Sequence, residues 1–261
     1  MEHVIETNRS GWEQRVIANH VYTRPIEGPV TASQAHSRLD PHAWVDWASI
    51  ESVVCLAAGG GNWSPLFATL GLRTTVVDFS VGQLRRDRET NARLGLEVEI
   101  VEANVLDLHE LYERKFDLVF MAVSDVYFPK MRDAYAEIGR IITPAGLFLA
   151  HLWNPVWMQI PDEGSWDGSA YRLEVVPTEG KALFCDEPDS GSRTIQFIHP
   201  LGELIGCLGE TGFVIRRFAE ENVGDPGATP TSFEHMASYV PPFFRVLSTY
   251  ESQNKPVDAT A

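Results

Sequence analysis

The sequence predicts an α/β protein built on a doubly wound, parallel sheet. Short apolar runs alternate with helical segments between residues 53 and 152, the first run ends in a glycine turn at residues 59–61, and the second run, residues 74–77, is β-branched. Strands that alternate with helices require right-handed crossovers and therefore a parallel sheet. Ligands bind such sheets beyond the carboxyl ends of the strands, so the residues that follow each strand are the first candidates for function.

Five strands are predicted in this central part. Each is a short apolar or β-branched run, which is typical of a strand buried on both faces. The five runs are residues 53–57, 74–77, 98–101, 118–122 and 147–152.

Capping signals delimit the helices between these strands. Ser64, followed by a proline, opens a short helix, and Ser80, three residues before a glutamine, forms a capping box. Gly95 ends that second helix. Apolar residues at helical spacing predict an amphipathic helix over residues 131–142, which the Pro-Ala-Gly turn at 144–146 ends.

Further helices and one more strand are predicted on either side of this core. Helices are expected at about residues 8–20 and 40–47, before the first strand. Towards the C-terminus, a helix is expected from residue 200 to 212 and a last strand at 213–218. The tail from Glu251 is expected to be loose.

The composition excludes several classes of protein. The chain has 261 residues, 44% of them hydrophobic and 22% charged, and a formal net charge of −15. It is too apolar for disorder and too acidic to favour nucleic acid, and it has no run of about 18 apolar residues to span a membrane. The first ten residues lack the apolar core of a secretory signal, and three widely spaced cysteines fit a reducing compartment. We therefore expect a cytoplasmic protein without a metal site, acting on a small molecule or another protein.

The glycine turn and a later carboxylate indicate an adenosine-containing cofactor. Asp78 ends the second strand, 17 positions after Gly61, and in a doubly wound fold it would lie beside the turn and could accept both ribose hydroxyls. The alternative is a plain tight turn with a surface acid. A nicotinamide fingerprint needs G-x-G-x-x-G, but Ser64 stands where the third glycine belongs, and the lysine of a phosphate-binding loop is missing.

These residues resemble the class I S-adenosylmethionine (SAM)-dependent methyltransferases. The family's first motif is acid-x-Gly-x-Gly-x-Gly, of which Gly59 and Gly61 match two glycines. Ala57 replaces the remaining glycine and Cys55 replaces the acid. Asp78 matches the ribose-binding acid of the family.

The resemblance continues along the later strands. Asn104 stands in place of the acid that contacts the adenine amino group, and its side chain still offers a carbonyl acceptor. Residues 116–120 resemble the fourth-strand motif, and residues 137–146 resemble the helix and Pro-Gly-Gly turn that follow. The match covers about residues 50–152 and, more loosely, 196–220.

The resemblance implies a seven-stranded, Rossmann-like sheet with an N-terminal helical lid, an insertion after strand five, and SAM as the cofactor. Trp12 and Arg15 share a face of the predicted lid helix, from which Arg15 could pair with the methionine carboxylate. It remains open whether Trp12 instead packs on the core and Arg15 is solvated.

The implied segments are the lid (1–50), the SAM-binding core (51–152), the acceptor-site insertion (153–195), and the C-terminal part of the fold with the tail (196–261). The implied cofactor-binding residues are Trp12, Arg15, Ala57, Gly59, Gly61, Asp78, Phe79, Asn104, Val105 and Ala122.

Candidates for the methyl-acceptor site follow strands four and five or come from the N-terminal flank. Tyr127 or Tyr22 could hydrogen-bond an amine or hydroxyl, and His151 could act as a general base. For each of them, packing or a structural hydrogen bond remains an alternative. The neighbouring candidates for substrate contact are Phe128, Trp153 and Asn154.

The stretch from Pro161 to Asp189 bears on the substrate. It contains eight acidic and two basic residues, with aromatic residues in or beside it. Such a cover would attract a cationic amine, although a solvated acidic loop is the simpler interpretation. We expect methyl transfer from SAM to an amine, or to a hydroxyl, of a small molecule in secondary metabolism such as antibiotic biosynthesis. The alternatives are an NAD(P)-dependent oxidoreductase and a catalytically silent nucleoside-binding protein; homo-oligomerisation stays open.

Overall fold

The computed structural model describes residues 1–161, 165–175, 182–187 and 189–251. The helices are α1 (Glu2–Ile17), α2 (Ala32–Leu39), α3 (Ser64–Thr69), α4 (Val81–Leu94), α5 (Met131–Ile141), α6 (Leu201–Glu210) and α7 (Phe233–Ala237). The strands are β1 (Ser52–Leu56), β2 (Arg73–Asp78), β3 (Val98–Glu102), β4 (Phe116–Ala122), β5 (Ile142–Trp153), β6 (Ala182–Glu187), β7 (Ser192–Phe197), β8 (Phe213–Glu221) and β9 (Phe243–Tyr250).

Seven strands form one sheet in the order β3-β2-β1-β4-β5-β9-β8. Neighbours among the first five are parallel, and β9 lies antiparallel between β5 and β8. This confirms the predicted seven-stranded, doubly wound fold. The strand order reverses between β1 and β4, so the loops after these two strands flank the crevice where such sheets bind ligands.

Apolar side chains cover both faces of the sheet. Along the fully buried strand β1, Val54 and Leu56 face one core, and Val53 and Cys55 face the other. Helices α5 and α6 close the first core, and α2, α3 and α4 close the second. Burial on both faces explains why these strands are continuous apolar runs rather than alternating ones.

The N-terminal flank departs from the predicted pattern. The helix expected at residues 40–47 is absent, because the Asp40 carboxylate accepts the backbone N–H groups of Trp44 and Val45 and turns the chain. A helix lies earlier instead: α2 begins after Thr31, whose side chain forms a capping box with Gln34.

The C-terminal half also contains elements that the sequence pattern did not predict. The Pro-Ala-Gly turn at 144–146 lies within β5, which begins at Ile142. Strand β9 completes the sheet, and β6 pairs with β7 in a separate hairpin. Of the tail expected to be loose from Glu251, only Glu251 is described, and its N–H donates to the Gly212 carbonyl at 2.7 Å. Residues 252–261 lie outside the described residues.

Helix α1 packs along the β6–β7 hairpin. The Asn8 side chain makes two hydrogen bonds with the backbone of Ile195: its Nδ2 donates to the carbonyl at 3.1 Å and its Oδ1 accepts from the N–H at 2.6 Å. A Cβ atom on Gly11 would lie 2.3 Å from the carbonyl oxygen of Arg193, so only glycine allows this approach. The first helix is therefore held by a strand about 180 residues later in the chain.

No helix in the described ranges has the length and apolar character needed to span a bilayer. The part of the chain that the structure describes likewise brings together no group of three metal-ligating side chains.

Candidate active site

Two neighbouring loops at the carboxyl edge of the sheet each begin with a residue whose backbone φ angle is positive, in the left-handed region. Ala57, directly after β1, has φ 46°, and Val123, directly after β4, has φ 50°. Gly60 and Gly61 follow with φ 107° and 76°, values that favour glycine. Backbone in such conformations clusters at ligand sites, which agrees with the position of the switch point.

Asp78 supports the glycine loop from the end of β2. One carboxylate oxygen accepts the Gly59 N–H at 3.0 Å, and the other accepts the Ser80 N–H at 2.9 Å. A Cβ on Gly59 would come within 2.9 Å of the Asp78 carboxylate, so glycine is needed here for close approach. Burial raises the pKa of Asp78 to about 6 despite these hydrogen bonds. Each carboxylate oxygen retains a lone pair for a further donor, such as a ribose hydroxyl.

A second buried acid, which the sequence reasoning missed, lies behind the loop. Asp87 of α4 is fully buried and accepts the Gly60 N–H at 2.7 Å and the Ser64 hydroxyl at 2.6 Å. Burial raises its pKa to about 7. Its spacing from Leu84 and Asn91 places it on the buried face of α4, and that periodicity is the signal that could have found it.

The predicted adenine side is partly occupied by contacts within the protein. Phe79 is covered by Arg9 of α1, whose guanidinium carbon lies 5.9 Å from the ring centroid and whose Nε donates to the Phe79 carbonyl. The Asn104 Oδ1 accepts the Leu106 N–H at 3.0 Å, so its remaining lone pair is the acceptor left for an adenine amino group. Val105 is buried in the core beside this turn.

Trp12, Arg15 and Tyr127 come together beneath α1. Arg15 is 1% exposed; its guanidinium lies 4.6 Å from the Trp12 ring centroid, and its Nη1 donates to the Tyr127 hydroxyl at 3.2 Å. Glu187 of β6, a partner that the sequence reasoning missed, accepts from Arg15 Nη2 at 2.7 Å. Arg15 is therefore neither solvated nor free, and a ligand carboxylate would have to share it with Glu187.

His151 is a neutral imidazole at the end of β5. It pairs in register with Ala122 of β4, and its ring lies 5.8 Å from Trp63 and 5.7 Å from Phe120. Burial, and then the nearby Arg245, lower the pKa of His151 to about 3. Its Nε2 has no hydrogen-bond partner among the described residues.

The remaining candidates are held in other ways. Tyr22 is 64% exposed, and its ring contacts His20. Phe128 is buried in the core, and the Trp153 N–H donates to the Asp125 carboxylate. Both ends of the Asn154 amide are engaged, with Nδ2 donating to Pro241 and Oδ1 accepting from Val156. The structure therefore does not bring these four candidates (Tyr22, Phe128, Trp153 and Asn154) together in one site.

Comparison with known proteins indicates which family this chain resembles. Residues 53–146 match the family described as a methyltransferase domain. Over these residues the chain is similar to methyltransferases, which supports a class I SAM-dependent methyltransferase. It is 24% identical over 243 residues to the uncharacterized methyltransferase YbaJ of Bacillus subtilis, covering 86% of this chain and 93% of that one.

Solved structures share the fold of this methyltransferase. An S-adenosylmethionine-dependent methyltransferase from Mesorhizobium loti superposes with a TM-score of 0.62 at 18% identity, over 84% of this chain and 99% of that one. The glycopeptide N-methyltransferase MtfA, complexed with sinefungin, gives a TM-score of 0.53 at 17% identity, over 85% and 88% of the two chains.

The residues at the carboxyl edge fit SAM as the cofactor of this methyltransferase. Besides His151, two buried polar atoms here have no hydrogen-bond partner among the described residues, Gln83 Oε1 beside the glycine loop and Ser124 Oγ after β4. Buried polar groups are normally paired, so unpaired ones at one edge indicate a place for a polar ligand. When bound, SAM supplies an electrophilic methyl group. The protein's part would be to hold it: Asp78 would offer acceptors to the ribose hydroxyls, and the absence of a side chain at Gly59 would let the loop lie close to the ligand.

Proposed function

We propose that this methyltransferase acts on the nitrogen of a small-molecule amine, with a hydroxyl as the second candidate. The observation that carries the proposal is the state of the two polar groups best placed as bases. The pKa of His151 is lowered to about 3, and burial raises the pKa of the Tyr127 phenol, which also accepts a hydrogen bond from Arg15. Neither takes up a proton near neutral pH. An amine can lose its proton to water and then attack unaided, whereas a hydroxyl needs a base.

The acidic stretch of the insertion gives weaker support than its charge suggests. Of its acids in the described residues, Asp186 pairs with Arg193, and Glu187 pairs with Arg15. Paired charges attract a cationic substrate less than free ones do. The preference for nitrogen therefore rests on the lack of a basic group at His151 and Tyr127.

The names of two similar structures support a wider biological setting for this proposal. MtfA is named as a glycopeptide N-methyltransferase, and a further structure with a TM-score of 0.57 at 16% identity is titled for echinomycin biosynthesis. We infer a cytoplasmic enzyme of secondary metabolism whose partner is a small molecule rather than nucleic acid. The division into residues 1–50, 51–152, 153–195 and 196–261 and the formation of a homo-oligomer remain proposals.

Ligand binding followed by a pH profile tests this function. SAM and S-adenosylhomocysteine should each raise the melting temperature by mass action, and NADH should not. Stabilisation by NADH alone would favour the oxidoreductase alternative, and no shift with any of the three would favour the silent one.

The acceptor is then identified with methyl-labelled SAM and matched panels of small amines and alcohols. With an amine, the rate should rise with pH towards the pKa of that amine, and His151→Gln should keep this slope because His151 does not take up the proton. Transfer to alcohols only, or loss of the slope in His151→Gln, would contradict the proposal.

A further inference from the structure

The glycine loop of this protein lacks the acid that its family motif places at the end of the first strand. Cys55 occupies that position; it is completely buried and faces the core under α3 and α4. A thiol is a weak acceptor, so it cannot replace a carboxylate in holding backbone N–H groups. Something else must fix the loop if it is to meet SAM in one conformation.

Asp87 reaches the same region from another element. Burial, and then the charge of Asp87, raise the pKa of the Cys55 thiol, in agreement with the hydrogen bonds that place Asp87 at the loop. Asp87 accepts the Gly60 N–H at 2.7 Å and the Ser64 hydroxyl at 2.6 Å. It therefore connects the glycine loop to the first residue of α3.

Further hydrogen bonds hold this connection in place. Asn91, one turn after Asp87 on α4, donates from Nδ2 to the Ser64 hydroxyl at 3.1 Å and to the Asp87 carbonyl at 2.9 Å. The Gly60 N–H also approaches the carbonyl of Gln83 at 3.2 Å, a longer contact than the one with Asp87. The shorter hydrogen bond is the stronger restraint, so the Asp87 carboxyl group contributes more than the Gln83 carbonyl to holding Gly60.

We propose that Asp87 is the positioning residue of the SAM site, holding the glycine loop in its binding conformation in place of the acid that Cys55 replaces. It acts through Gly60 and Ser64 and does not itself touch SAM. Asp87 thus supports the glycine loop from α4. The Asp78 carboxylate at the end of β2 then keeps acceptor sites for the ribose. The role concerns the cofactor only, so it stands or falls independently of which acceptor is methylated.

The experiment compares Asp87→Asn with a matched control, Asp117 of β4, whose hydrogen bonds hold the opposite end of β1 from the glycine loop. Asp117 accepts the N–H groups of Glu51 and Ser52 and the Ser52 hydroxyl, so Asp117→Asn also removes a carboxylate that fixes backbone next to β1, but at the edge away from the site. Dissociation constants for S-adenosylhomocysteine are measured by calorimetry at a temperature well below the melting point of each variant. Asp87→Asn should weaken binding about tenfold, and Asp117→Asn should leave it unchanged while lowering the melting temperature.

Two further variants keep the proposal falsifiable if Asp87→Asn does not fold. Ser64→Ala removes one partner of Asp87 and should weaken binding by a smaller factor, about threefold. The double variant with Cys55→Asp and Asp87→Asn returns the acid to the family position and should recover part of the lost affinity. Unchanged S-adenosylhomocysteine affinity in Asp87→Asn or Ser64→Ala, or an equal loss in Asp117→Asn, would overturn the proposal.

Discussion

Asp78 is the side chain that we propose binds the ribose of the cofactor. Its carboxylate already accepts two backbone N–H groups, from Gly59 and Ser80, and has acceptor capacity left for ribose hydroxyls. The Asp78 side chain thus holds the glycine loop and would also bind the ribose. The two tasks can be separated by a substitution that keeps the size of the residue.

Replacing Asp78 by Ala should weaken SAM binding by about 1–3 kcal/mol, because hydrogen bonds to the loop and to ribose are both lost. Asp78→Asn keeps one acceptor oxygen and should lose less. Calorimetric titration with S-adenosylhomocysteine measures both. Equal affinity of the Ala variant and the wild type would remove Asp78 from the site.

Individual functional residues could be predicted from the sequence only where they belong to a motif or to a regular apolar repeat. Gly59 and Asp78 stand at positions set by the strand–turn–helix pattern, and the structure places them together. Glu187 could not be assigned to Arg15, because the two lie 172 residues apart and no local pattern joins them. Long-range polar pairs of this kind arise from the tertiary fold and leave no period in the sequence.

Helix α1 is positioned by its contacts with two other elements. It is held from two sides: Asn8 and Gly11 meet β7, and Glu13 accepts the Gly82 N–H and the Ser80 hydroxyl at the start of α4. The helix therefore connects the hairpin to the helix that follows Asp78. Its placement should be sensitive to any added volume at Gly11.

Gly11→Ala should displace α1 from the hairpin, because the new Cβ would overlap the Arg193 carbonyl. Overpacking of this kind costs about 1–3 kcal/mol, more than the helix propensity that alanine adds. Hydrogen exchange should show faster exchange in α1 and β7. The matched control is Gly202→Ala on α6, where a Cβ meets nothing within 4 Å and the variant should be neutral or slightly more stable. Similar exchange rates in both variants would contradict this account of the contact.

Helices and strands could be predicted where the sequence shows a regular apolar pattern or a capping signal. They could not be predicted where tertiary contacts determine the local structure. The buried parallel strands and the capped helix α4 follow directly from apolar runs and from Ser80 with its capping box partner. The hairpin β6–β7 was not predicted, because the burial of β7 depends on α1, which packs against it from far away in the sequence. The helix expected at 40–47 failed because Asp40 caps a turn rather than a helix, two uses of aspartate that look alike in sequence.

Among the residues that the structure describes, burial raises the pKa values of three carboxyl groups: Asp78 to about 6, and Asp87 and Asp125 to about 7. A raised pKa means that the folded state binds the proton more tightly than the unfolded state does. The stability that these groups contribute is present at low pH and is lost as the pH rises from about 4 towards about 7. The unliganded protein should therefore become less stable across this window.

Asp125→Asn tests this dependence away from the cofactor loop. The amide stays neutral at every pH and can still accept from the Trp153 N–H, so the variant should gain stability relative to wild type as the pH rises from 5 to 8. The free energy of unfolding from urea denaturation at each pH is the measure. Asp167→Asn is the control: hydrogen bonds from Ser169 and Ala170 lower the pKa of Asp167, so this group is ionised in both states between pH 5 and 8, and the difference between Asp167→Asn and wild type should stay constant. A constant difference between Asp125→Asn and wild type would show that Asp125 titrates alike in both states.

The contact between α1 and β7 also sets an order of events during synthesis. Asn8 leaves the ribosome early, but its partner Ile195 follows 187 residues later, which at about 5–20 residues per second is a delay of roughly ten seconds or more. Strands β1 to β5 are all complete before then. A nascent chain that stops before residue 192 would contain the glycine loop and Asp78 but would leave α1 without its strand. The segment made first is thus among the last to reach its final place.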